Sequence, residues 1–334
     1  MRHTLKIAIA CVLILVLSGC GSKPIQPRDE SAALDGLLTQ FSNRVNQSAN
    51  YQPEMIFEFG KGTDPDYKDS MTVGIAAAAK FWSTDIKTSL KFPVVYAGLE
   101  DKEWFLSRLA FYGHLSPMYQ SQVERRIAMD GDQVNMAGLL YEDGTYLMQF
   151  LRGKDQTKLN PLDYSTPAHE YSHAAQTYFL NGKMDALPCW AMEGGATVYA
   201  AIIAGLFIEK TKVDKYQIRN GSVRMLLGGE QNDLWVATDD QIYSMIRSAE
   251  PQNSPECTFP GKLGYSLGML MYEQLLGKYG QAKALAWMES SSSKGWQSSF
   301  ESVYEMPIQD WYKNEAIPYV KVEIKKINKD WPMN

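Results

Sequence analysis

The chain has 334 residues, 45% hydrophobic and 12% aromatic, enough apolar material for a large core, which excludes a disordered or fibrous polypeptide. Its formal charge is −5 and its pI is near 5.5. That balance offers no basic face for a phosphate backbone, so nucleic acid is not an expected partner.

Residues 1–19 read as a targeting segment. "MRHTLK" supplies Arg2 and Lys6, and "IAIACVLILVL" is an apolar run of 11 residues, too short for a permanent membrane span. It ends in "LSGC", Leu17 to Cys20, which resembles the lipobox of bacterial lipoproteins. The resemblance implies cleavage before Cys20, acylation of its thiol and attachment to a membrane through that lipid. An ordinary signal peptide with Cys20 incidental is the alternative. Ser22, at the second position after Cys20, resembles an outer-membrane sorting pattern, so the expected location is the cell envelope, facing the periplasm in a Gram-negative cell and otherwise on the outer face of the cell membrane. Export suits the cysteine usage. Once the signal is gone and Cys20 is acylated, Cys189 and Cys257 remain; in an oxidising compartment they are expected to bridge, two separate buried thiols being the alternative.

Residues 20–30 are a polar, proline-containing tether. Leu34, Leu37, Leu38, Phe41 and Val45 then recur at helical spacing, and a second helical pattern runs from about Asp66 to Leu90. "FPVVYAG" (Phe92–Gly98) reads as a strand, "EDKEWFLSRLAFYG" as a helix, and "QVNMAGLLYEDGTYLMQFLRG" as a hairpin turning at Asp143-Gly144. From Ser165 onward helix follows helix, with "YVKVEI" (Tyr319–Ile324) the one later strand expected and "ESSSSKG" (Glu289–Gly295) a surface loop. This order predicts an α+β fold. Residues 31–180 form a mixed-sheet subdomain with an active-site helix, residues 181–334 a mainly helical subdomain, and a cleft lies between them.

His169 and His173, two of four histidines, stand four residues apart in "PAHEYSHAAQTYF", so a helix puts both imidazoles on one face, where they can share an ion. Glu170 lies beside the first, within reach of a water on that ion but not a natural third ligand. A zinc site needs one more donor and an open position. With nineteen residues separating it from His173, Glu193 is carried by the apolar helix of "LPCWAMEGGATVYAA". His114 in "FYGHLSP" reads as a turn residue.

"HEYSH" followed by "WAMEGGA" resembles the gluzincin zinc peptidases, and among them the peptidase MA-like family. The resemblance implies one Zn2+ per chain held by His169, His173 and Glu193, with Glu170 as general base hydrolysing peptide bonds. Thr197 stands where one gluzincin branch has an aspartate supporting a ligand histidine. The strand Asn135–Leu140, with Asn135, Ala137 and Gly138, is the candidate platform for an extended peptide or protein substrate; it lacks the glutamate with which the aminopeptidase branch holds a free N-terminus. A tyrosine beyond the third ligand commonly donates to the oxyanion in gluzincins. Tyr265 is the candidate here, with Tyr199 and Tyr243 as competitors.

"GYSLG" around Ser266 matches a nucleophile elbow, but no histidine follows it to complete a triad. A catalytically silent binding lipoprotein and a metal-dependent hydrolase of a non-protein amide are the alternative functions.

Overall fold

A computed structural model describes residues 32–47, 54–142, 144–154, 159, 162–224, 234, 236–254 and 263–326. Signal, tether, Cys20, Asp143 and Cys257 lie outside the described residues. Strands β1 (Glu54–Phe59), β2 (Lys91–Gly98), β3 (Asn135–Glu142) and β4 (Thr145–Arg152) form one mixed sheet in the order β1-β2-β4-β3. The pairs β1–β2 and β2–β4 are parallel, and β3 runs antiparallel to β4. The helices are α1 (Ala32–Phe41), α2 (Pro65–Trp82), α3 (Lys102–Phe111), α4 (Pro117–Asp130), α5 (Leu162–Phe179), α6 (Cys189–Phe207), α7 (Lys215–Arg224), α8 (Asp239–Ser248), α9 (Leu263–Lys294), α10 (Trp296–Tyr304), the short α11 (Ile308–Trp311) and α12 (Ile317–Lys326). The class is α+β, with a helical C-terminal part.

Parallel strands need crossovers that cover the sheet, and side chains alternate between its faces. Val94, Tyr96, Met148 and Phe150 enter the main core, while Val95, Ala97, Leu147 and Leu151 pack with Phe105, Leu106, Leu109 and Val123 of α3 and α4. The main core continues from the sheet through α2 and α5 into α6 and α9. By length and composition α6 could cross a membrane, but 78% of it is buried in the fold, where an all-round apolar helix belongs.

The N-terminal end of α5 is pinned to the sheet. Arg152, at the end of β4, pairs with the buried Asp163 in the first turn of α5 and covers the Tyr67 ring at 4.5 Å. Further along, Trp82 Nε1 donates to Ser172 Oγ at 3.2 Å. The histidine-bearing helix is therefore held at several points by the α+β part.

Several local expectations are corrected. "YVKVEI" is helical, inside α12: Ile317, Val320 and Ile324 fall on one buried face, and that periodicity overrides β-branched propensity. "ESSSSKG" is not a loop, since α9 continues to Lys294; Ser290, Ser291, Ser292 and Ser293 each turn a hydroxyl back onto a carbonyl three or four residues earlier. The second helix stops at Trp82, where the amides of Asp85 and Ile86 both donate to the Trp82 carbonyl. Strand β1 and helix α4 were not anticipated, although Ser116 caps α4 ahead of Pro117.

Candidate metal centre

Helix α5 carries His169, Glu170 and His173, and α6 returns antiparallel to it after a turn in which Asn181 and Gly182 take positive φ. This return sets Glu193 opposite the histidines. His169 Nε2 and His173 Nε2 are 3.1 Å apart, and each lies 3.3 Å from Glu193 Oε2. Four-coordinate zinc with ligands at about 2.0–2.1 Å keeps its donors about 3.3 Å apart, so the triangle fits a metal ion.

The protonation pattern supports the same reading. Gln176 Nε2 donates to the Met192 carbonyl at 2.9 Å, leaving Gln176 Oε1 to accept from His173 Nδ1 at 2.8 Å. Thr197 Oγ1 donates to the Glu193 carbonyl at 2.8 Å and faces His169 Nδ1 at 3.4 Å as an acceptor. These partners favour a proton on Nδ1 of each ring, which directs both Nε2 atoms inward to whatever cation the site holds. Glu193 Oε2 is buried without a hydrogen-bond partner. Two nitrogen lone pairs and a carboxylate oxygen facing one another in a low-dielectric site repel unless a cation lies between them.

The charges respond accordingly. Burial acts to raise the Glu193 carboxyl, yet the imidazoles outweigh it and hold it well below the usual carboxylate range. Burial acts to lower His173, and the Glu193 carboxylate overrides this to lift it to about 9. A proton is thus the cation that the metal-free site attracts. Glu170, 7% exposed, is raised by burial and by Glu193, against the pull of both histidines and of the Leu139 backbone amide that faces its carboxylate. A carboxylate raised in this way is suited to accept a proton.

Tyr265, in the first turn of α9, stacks on the His169 ring at 5.7 Å with its hydroxyl directed at Glu193. Burial and the two carboxylates hold its phenol protonated. Glycines bring α9 this close. A Cβ on Gly194 would stand 2.1 Å from the Gly268 carbonyl carbon, and one on Gly268 would stand 2.4 Å from the Trp190 oxygen. The competitors are placed elsewhere: Tyr199 donates to Gln281 at 2.6 Å inside the core, and Tyr243 packs on Tyr312. Ser266 is buried within α9, and His114 faces Thr145 at 3.3 Å, outside the cluster.

Strand β3 is an edge strand, with no partner on its outer side among the described residues. Because the Leu139 amide turns outward to Glu170, alternation turns the backbone groups of Asn135 and Ala137 outward as well, and those of Gly138 toward β4. Gln176 is a site residue that sequence reasoning missed, and Leu139 entered it only as part of the strand Asn135–Leu140. The position of Gln176, three residues after His173 on the same helical face, was the available signal. Cys189 is disulfide-bonded.

Comparisons with protein-family models, curated proteins and solved structures find no match.

Proposed function

We propose that the chain is a zinc-dependent metallopeptidase of gluzincin type, anchored by lipid on Cys20 in the bacterial cell envelope. The observation that carries this reading is the triangle of His169 Nε2, His173 Nε2 and Glu193 Oε2, with Glu170 beside it and Tyr265 above. Two imidazoles and one carboxylate are a donor set suited to zinc.

When bound there, zinc would act as a Lewis acid toward a carbonyl and make water a stronger nucleophile near neutral pH. The rest falls to the chain. Glu170 takes the proton of the attacking water and passes it to the leaving amine. Tyr265 donates a hydrogen bond to the oxygen on which negative charge develops. The outward backbone of β3 at Asn135 and Ala137 receives an extended peptide by strand addition across the cleft between the α+β and helical parts. The export signal supplies the envelope setting. Glu170 argues against a silent binding role, since a binding module needs no general base, and the open strand edge favours peptides over other amides.

The test is metal analysis of the purified full chain beside a peptide-library cleavage screen. About one zinc per chain is expected, lost in His169→Ala, His173→Ala or Glu193→Ala. Glu170→Gln should keep the metal and lose cleavage, because an amide cannot accept the proton. A Glu170→Gln variant that cleaved as fast as its parent would remove the proposed mechanism.

A further inference from the structure

A pocket of about 460 Å³ opens at the C-terminal end of α5, lined in part by Tyr141, Tyr146, Thr177, Tyr178, Asn181 and Glu289. Two elements lead to it from the candidate metal centre. Along α5, Thr177 is one turn beyond His173, a rise of about 6 Å. Along β3, Tyr141 is two residues beyond Leu139, about 7 Å, on the same face of the strand. A chain paired with the outer edge of β3 and crossing Glu170 at Leu139 would bring an alternate side chain to this pocket.

The lining favours positive charge. Among the described residues Glu289 is the one charged side chain that lines the pocket, and no lysine or arginine does. The nearby Lys183 turns its ammonium to the Ser292 carbonyl at 2.9 Å. The pocket also faces the end of α5 where the helix dipole is negative. Tyr141 and Tyr146 lie 4.8 Å apart between ring centroids, and with Tyr178 they offer aromatic faces that attract a cation. The shape of this wall depends on Gly182, at φ +83, where a Cβ would stand 2.5 Å from the Tyr141 hydroxyl.

We infer that this tyrosine-lined pocket is a substrate subsite for a lysine or arginine side chain, with Glu289 meeting the cationic head. The inference rests on the peptidase reading for the path of the substrate. It adds a specificity that the metal centre alone does not provide.

The test uses the full chain and matched peptides carrying Lys, Arg, Leu or Glu at one position in turn. Cleavage is measured for the parent, Glu289→Gln and Glu289→Lys. Binding of the fluorescently labelled lysine and leucine peptides is measured separately on Glu170→Gln, alone and combined with each Glu289 change. At one position the parent should prefer Lys or Arg over Leu by about five- to tenfold, the scale of a partly exposed ion pair with an aromatic contribution. Glu289→Gln should abolish most of that preference, and Glu289→Lys should shift it toward Glu. A role of Glu289 in folding alone would affect all four peptides equally. Cleavage with no basic preference, or with one indifferent to Glu289, overturns the subsite and leaves the peptidase intact. Glu289-dependent binding of the lysine peptide without cleavage of any peptide keeps the pocket and removes the peptidase. Neither binding nor cleavage overturns both.

Discussion

Gln176 accepts a hydrogen bond from His173 Nδ1 at 2.8 Å, and its own amide nitrogen donates to the carbonyl of Met192, the residue before Glu193. One fully buried side chain thus fixes the tautomer of one ligand and ties its helix to the helix of another. Gln176→Ala should weaken zinc binding about 10- to 100-fold while leaving the three ligands in place. Competition against a zinc-chelating dye measures this, and a dissociation constant within about twofold of the parent's would rule out the positioning role.

Tyr265 stacks on His169 with its hydroxyl at Glu193, so it can donate to negative charge developing at the site. Tyr265→Phe removes that donor and keeps the ring. The expected outcome is unchanged zinc content and thermal stability, kcat lowered about a hundredfold and KM little changed. Full kcat in the phenylalanine variant would assign the role to another donor.

The contact between α6 and α9 leaves no room for a methyl group. Gly268→Ala should cost about 1–3 kcal/mol through overpacking and should also weaken zinc binding, because it displaces the helix carrying Tyr265 from the one carrying Glu193. Gly277, in the same helix, has open space around its Cβ position, and Gly277→Ala should be neutral or stabilising by up to about 1 kcal/mol. Thermal melts of the two variants should move in opposite directions, or Gly268 alone should move; equal shifts would contradict the packing argument.

Metal removal should have a pH signature. In the metal-free protein His173 is lifted from 6.5 to about 9, so its stabilisation is complete below about 6.5 and is lost as pH rises through about 9. Glu193 is depressed below its usual 4.5, so its contribution is present above about 4.5 and lost as pH falls. Zinc binding instead requires both imidazoles unprotonated. The gap in Tm between zinc-loaded and chelator-treated protein should therefore widen from about pH 6 to about pH 8. A gap that stayed constant across that range would count against this ligand set.

The spacing of His169 and His173 determined much of the centre without help from the fold, because a helix places residues four apart on one face whatever surrounds it. An apolar helix returning after a short turn brought Glu193 within the same local reasoning, and the apolar run Phe92–Gly98 and the hairpin turning at Asp143-Gly144 marked three of the four strands. Long-range packing decided the rest. Gln176 has no local mark that separates a ligand-orienting glutamine from a solvent-facing one; its role exists only because Met192 lies opposite. Leu139 meets Glu170 because β3 is the sheet edge beside α5, an arrangement set by strand order. The segments 289–295 and 319–324 carry loop-like serines and strand-like β-branched residues; burial of Val320 and Ile324 made the second helical, while the first simply continues α9 to Lys294 with Ser291 alone buried. The seat of Tyr265 on His169 required two glycines, 74 residues apart in the chain, to touch across a helix pair, a contact set by tertiary packing rather than by local propensity.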